Sequence, residues 1–115
     1  MSQDTDDLLQ GTLEMLVLKA LTLEPMHGWG IGQRIGQLSG EVFRVQQGSL
    51  YPALQRMLRH GWFRSEWRVT ENHRRARYYL LTTAGRRQLD RETATWSRVS
   101  TAVNGILQLR LAEGS

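Results

Sequence analysis

A chain of 115 residues without cysteine has the length for one domain and lacks the means for a disulfide framework, a thiolate metal site or a thiol nucleophile. Apolar residues make up 40% and charged residues 23%, ordinary globular usage with no low-complexity tract, so a folded domain is expected rather than a disordered chain. The formal net charge of +4 comes from 15 basic residues against 11 acidic ones, and every basic residue except Lys19 is an arginine.

The start is acidic, with Asp4, Asp6 and Asp7 where a secretory leader would be basic. The most apolar stretch, residues 13–23, is interrupted by Glu14, Lys19 and Thr22 and is much shorter than the roughly 20 apolar residues of a membrane span. A cytoplasmic protein with no membrane partner is expected. Residues 8–23 read as a first helix, with Asp6 or Asp7 placed to cap it and Glu24-Pro25 to stop it. Leu9, Leu13, Leu16, Ala20 and Leu23 form one stripe, while Leu8, Met15 and Leu18 lie to its side. One small core is not expected to cover both stripes, which leaves the second for a partner subunit.

Residues 28–38 form a short second helix with Ile31, Ile35 and Leu38 on its core face. Gly32 and Gly36 leave a bare strip beside that face and imply close approach of another element. After Ser39-Gly40 a link containing Val42, Phe43 and Val45 leads to a third helix over residues 48–60, capped by Ser49 and with Pro52 in its first turn. Leu50, Leu54, Met57 and Leu58 face the core, Gly61 ends the helix, and Ser49, Tyr51, Gln55, Arg56 and Arg59 lie outward. Residues 62–70 and 74–82 read as a hairpin around the polar tip Glu71-Asn72-His73. Its aromatics Trp62, Phe63, Trp67, Tyr78 and Tyr79 are expected as hairpin and core residues rather than a base-stacking platform. Residues 83–111 return to helical spacing, with Leu89, Trp96, Val99, Val103 and Ile106 in a heptad-like stripe.

Three short helices, a two-stranded ribbon and a long helix predict a mainly α fold with a small β-hairpin, a winged helix-turn-helix. Residues 1–82 would form the DNA-binding domain, and residues 83–115 a long C-terminal helix and tail, to which the resemblance given below assigns dimerisation. The charge map agrees. Residues 1–40 are net acidic, whereas residues 44–87 carry ten arginines against Glu66 and Glu71. A one-signed field in one stretch attracts a polyanion, and the arginine fork suits phosphate, although a solvated basic face has the same composition. Gln47, Ser49, Tyr51, Gln55 and Arg56 are the expected contacts of the third helix, with Tyr51 on phosphate, Gln55 matched to adenine and Arg56 to guanine. Arg74, Arg75 and Arg77, beside Asn72 and His73, are the expected wing contacts with double-stranded DNA.

Enzymatic chemistry finds no support. The sequence holds no nucleophile-base constellation and no paired carboxylates in context, and Gly28-Trp29-Gly30-Ile31-Gly32 lacks the preceding strand of a nucleotide loop. His27, His60 and His73 fall on different elements, so neither a metal nor another cofactor is expected, and His27 reads as part of the turn into the second helix. A winged-helix protein-interaction module and a single-strand or RNA-binding protein remain the alternatives to a duplex binder.

Four ordered stretches carry a resemblance: residues 8–18 (LLQGTLEMLVL), residues 27–31 (HGWGI), residues 48–54 (GSLYPAL), and residues 75–82 (RARYYLLT) with Gly85. In this order they resemble the PadR-like family of transcriptional regulators, in its compact form with a single C-terminal helix. The resemblance implies a homodimer that binds an inverted-repeat operator, usually as a repressor. It also brings in Trp29 as a DNA-contacting position: this residue replaces the tyrosine usual after His-Gly and keeps a flat ring with one donor. The implied dimer interface comprises Leu9, Met15, Leu89, Trp96, Val99, Val103 and Ile106. Trp96 carries two readings: interface packing, which its heptad position favours, and an effector pocket between subunits for a planar hydrophobic compound.

Overall fold

The computed structural model describes the backbone of residues 2–110 and the side chains of residues 12–110. Its elements in chain order are α1 (Ser2–Leu23), β1 (Met26–His27), α2 (Gly28–Leu38), α3 (Gln47–Arg59), β2 (Phe63–Val69), β3 (Arg75–Leu81) and α4 (Thr83–Leu107). The α1 helix starts at Ser2, ahead of its expected start, so Asp6 and Asp7 lie inside the helical run instead of capping it. The side chains of Leu8 and Leu9 fall outside the described residues. No described helix is long and apolar enough to cross a membrane.

The core is built around α1, which touches α2, α3, β3 and α4. Leu13, Val17, Leu18, Ala20 and Leu21 are therefore buried along a broad face of the helix. Leu18, expected on a stripe left for a partner, is fully covered by its own chain, while Leu23 at the helix end is exposed. Met15 and Leu16 are half-buried against the same core. Central placement thus covers Leu18 of the second stripe within the chain itself, while Met15 stays only partly covered.

His27 closes the N-terminus of α2: its Nδ1 accepts the Gly30 amide at 3.0 Å. The same residue belongs to β1, a two-residue strand too short to show any alternation in sequence, which pairs Met26 with Tyr79 and His27 with Tyr78. Ile31 and Ile35 are buried, but Leu38, expected beside them, is exposed because the last turn of α2 runs past the core. The bare strip is occupied as expected. Side chains of Val45, Gln47 and Leu50 pack over Gly32, and Glu41 with the Phe43 carbonyl packs over Gly36. Gly40 and Glu41, at φ 62° and 66°, turn the chain between the two helices in the left-handed region.

Gln46, not Ser49, is the N-cap of α3, and its carbonyl accepts the amides of Ser49 and Leu50. Ser49 thus sits within the first turn, and Pro52 falls one turn later than expected, with no amide to offer the Gly48 carbonyl. Leu50, Ala53, Leu54 and Met57 are fully buried and fix the rotation of the helix. Removing one of these leucine side chains would cost about 2–5 kcal/mol.

The three antiparallel strands have the order β1-β3-β2, with the hairpin in register from Phe63 opposite Leu81 to Val69 opposite Arg75. Glu71, Asn72 and His73 form the tip as expected, closed by the Thr70 amide on the Arg74 carbonyl at 2.7 Å, with His73 at φ 63°. Thr82 then caps α4: its Oγ1 accepts the Gly85 amide at 3.0 Å and donates to the Gly61 carbonyl at 2.6 Å. At Gly85 a Cβ would run into the Trp62 carbonyl oxygen and Leu81 Cδ1, so this close contact between helix and strand admits only glycine. Leu89 completes the core. Residues 101–110 are exposed throughout, and α4 ends at Leu107, short of the expected residue 111. The radius of gyration is 17.1 Å, against roughly 13 Å for a compact chain of this length.

Candidate nucleic-acid interface

Burial of Leu50, Ala53, Leu54 and Met57 turns the opposite side of α3 outward, and that side carries Gly48, Tyr51, Pro52, Gln55 and Arg59. Gln47 is also exposed at the helix start, and Ser49 is half-buried beside it. The N-terminal amides and positive dipole end of α3 lie at the same end as Tyr51, where an anion is favoured. Gly28 at the start of α2 makes room for the Tyr51 ring. A Cβ there would meet Tyr51 at 3.0–3.2 Å.

Between α2, the start of α3 and the hairpin lies a cleft of about 450 Å³ lined by Trp29, Tyr51, Asn72, Arg74, Arg75 and Arg77. Residues far apart in the chain and expected to contact DNA therefore share one surface. Trp29, 59% exposed, also borders a smaller cleft of about 200 Å³ with Gln33, Arg44 and Gln47. Burial pushes the Tyr79 phenol above its ordinary value, with the Arg77 charge opposing and Tyr51 adding to the rise. Tyr79 thus lines the cleft as a neutral hydroxyl.

The arginines differ in what they face. Arg64 and Arg68 flank Glu66 at 3.4 and 2.7 Å, and Arg68 also lies over the Tyr78 ring. The Arg68 hydrogen bond, with the charges of Arg68 and Arg64, holds the Glu66 carboxyl below the usual carboxylate value. Arg75 and Arg77 project from the other face of the hairpin, toward the cleft.

Arg56 is engaged by a carboxylate of α1. Its Nε and Nη2 both lie 3.3 Å from Glu14 Oε2, so the side chain ties α3 to α1 instead of standing free for a guanine edge. The expectation considered α3 alone, whereas the rotation set by the core aims position 56 sideways at α1. Arg59 occupies the more open position on the Gln55 side, and only the helical phase of the buried residues could have ranked it higher. Trp67, expected in the hairpin core, is 58% exposed beside Arg75 and Arg77.

On the opposite side of α1, a cavity of about 440 Å³ between α1 and α4 is lined by Glu14, Met15, Trp62, Glu92, Trp96 and Val99. Trp96, Val99, Val103 and Ile106 are 44–67% exposed, whereas Leu89, expected in the same stripe, is only 9% exposed and belongs to the chain's own core. Leu9 lies outside the described side chains. Among the described residues, no group of His, Asp and Glu is placed to hold a metal ion.

Comparison with known proteins matches residues 17–91 to the transcriptional regulator PadR-like family. A PadR-like transcriptional regulator from Bacillus cereus superposes with a TM-score of 0.78 at 28% identity, covering 90% of this chain and 99% of that one. A PadR family regulator from Eggerthella lenta gives 0.77 at 29% identity over 95% and 93% of the two chains. A 37.1 kDa protein encoded in a Streptomyces fradiae transposon is 41% identical over 87 residues, 76% of this chain, although the chain spans only 24% of that protein's length. Together with the mainly helical winged fold and the arginine-lined cleft, these likenesses establish that the chain belongs to the PadR-like family of DNA-binding transcriptional regulators.

Proposed function

We propose that the chain works as a homodimeric repressor that recognises an inverted-repeat operator. The observation that carries this reading is the exposed apolar stripe Trp96, Val99, Val103 and Ile106 on a helix whose first turns are anchored in the core. A run of large apolar residues bare at helical spacing calls for a cover, and a two-fold mate supplies an identical stripe. In this arrangement α4 packs against α4 of the partner and against its α1, near Met15 and Leu9. The pairing sets the distance between two copies of α3, which enter major grooves about one helical turn, roughly 34–36 Å, apart. Gln47, Gln55 and Arg59 face base edges, Ser49 and Tyr51 face phosphate, and Trp29 with Arg74, Arg75 and Arg77 grips the flanking backbone. A planar hydrophobic effector would occupy the cavity beside Trp96 and release DNA by preferring a dimer with a different α3 separation. The protein acts in the cytoplasm.

Sedimentation combined with titration of duplex DNA, single-stranded DNA and RNA at two salt concentrations tests the proposal. A dimer with salt-dependent duplex preference supports it; a monomer, or preference for unpaired strands, overturns it. Changing Arg74 and Arg75 together to Gln is expected to weaken binding to all sequences alike and to flatten the salt slope by about 0.9 for each phosphate that is no longer neutralised. Transcription from a promoter carrying the recovered operator decides the sign of regulation.

A further inference from the structure

The two faces of the hairpin hold their arginines by different means. On one face Glu66 clasps Arg64 and Arg68. On the face that carries Phe63 and Tyr79 into the core, the residue in the corresponding place is Trp67, with the Arg75 guanidinium 5.1 Å and the Arg77 guanidinium 6.0 Å from its ring centroid. Trp67 and Arg77 are direct cross-strand partners, and Arg75 is the diagonal neighbour, so ring and guanidinium groups meet across the antiparallel pair. Arg77 is held on a second side, where its Nε donates to Ser65 Oγ at 2.9 Å.

A carboxylate and an indole differ in what they leave available. Glu66 offsets one of the two positive charges beside it and takes one N–H donor from each guanidinium. An aromatic face attracts a guanidinium through its quadrupole and leaves the charge uncompensated; the Arg77 Nε–H goes to Ser65, and the Nη groups of both arginines remain for an anion. Trp67 is largely exposed, so it contributes little as core. What it does provide is a flat surface that limits the rotamers of two long side chains bordering the Tyr51 cleft.

We propose that Trp67 is a positioning residue for DNA binding, an aromatic rack that presets Arg75 and Arg77 for adjacent backbone phosphates. This rests on the reading of the cleft as the duplex-binding surface. Ordering an arginine in advance removes part of the entropy cost of fixing it on binding, so the rack raises affinity without adding a further phosphate partner.

The test compares Trp67→Phe, which keeps a ring face, with Trp67→Leu, which keeps apolar bulk without one. Affinity for a random-sequence duplex is measured by anisotropy at several salt concentrations, and nitrogen relaxation of the arginine Nε groups is measured in the free protein. Trp67→Leu is expected to weaken binding by roughly five- to tenfold with an unchanged salt slope, and to make the Arg75 and Arg77 Nε groups more mobile. Trp67→Phe is expected to restore both readouts while thermal stability stays the same in all three proteins. Wild-type affinity in Trp67→Leu, equal weakening in the two variants, or unchanged Nε mobility overturns the rack while leaving the duplex-binding surface intact. Absence of duplex binding by the wild-type chain overturns both.

Discussion

The two halves of α4 obey opposite rules. Its first turns are locked: Thr82 caps them, Gly85 presses against the Trp62 carbonyl, and Leu89 is buried. From Trp96 onward the same helix leaves Val99, Val103 and Ile106 between 44% and 67% exposed. The contrast separates residues that hold the domain together from residues available to join it to another, although the heptad-like pattern runs through both.

The largest effect is expected at the locked end. Gly85→Ala forces a methyl group into backbone and into Leu81, and is expected to destabilise the domain by about 3 kcal/mol, read as a lowered midpoint in urea. At the bare end, Val99→Asp combined with Val103→Asp is expected to leave that midpoint nearly unchanged while turning a dimer into a monomer in sedimentation. Loss of the second DNA-binding unit then reduces operator affinity by about 10²-fold or more. If the double variant unfolds instead, the two halves are not distinct.

Smaller effects are expected at the arginines held by carboxylates. Glu14→Gln removes the half-buried partner of Arg56 and is expected to cost about 0.5–1 kcal/mol in denaturant unfolding. The smallest effect concerns Glu66, which is half-buried between its two arginines. Because its folded value lies below the usual carboxylate value, its pairing with Arg68 and Arg64 contributes above that usual value and is lost as pH falls through the lowered one. Carboxyl titration by NMR is expected to show Glu66 returning toward the usual value in Arg68→Gln.

Much of the fold was legible because local rules govern it. The hairpin and its polar tip follow from β-rich runs around Glu71-Asn72-His73, and the bounds of α2 follow from its glycine and serine punctuation. The first strand was not legible, since Met26 and His27 pair only because β3 is already in place. The N-cap of α3 was misplaced by three residues, with Gln46 taking the role expected of Ser49. The chain bends into that helix earlier than a preference for hydroxyl caps suggests.

The proposed DNA-binding surface is legible as a set of residue types and less so as individuals. Tyr51, Arg74, Arg75 and Arg77 meet at one cleft, as charge concentration in one stretch led one to expect. The order of elements, the absence of cysteine chemistry and the concentration of arginine over residues 44–87 follow from the sequence alone, because composition and periodicity are local properties. Only the tertiary structure decided which arginines are engaged by acids. Glu14 reaches Arg56 across 42 positions of sequence, and the strand register puts Glu66 on one face of the wing and Trp67 on the other. Such pairings depend on helix rotation and strand phase, and these are fixed only when the core around α1 closes.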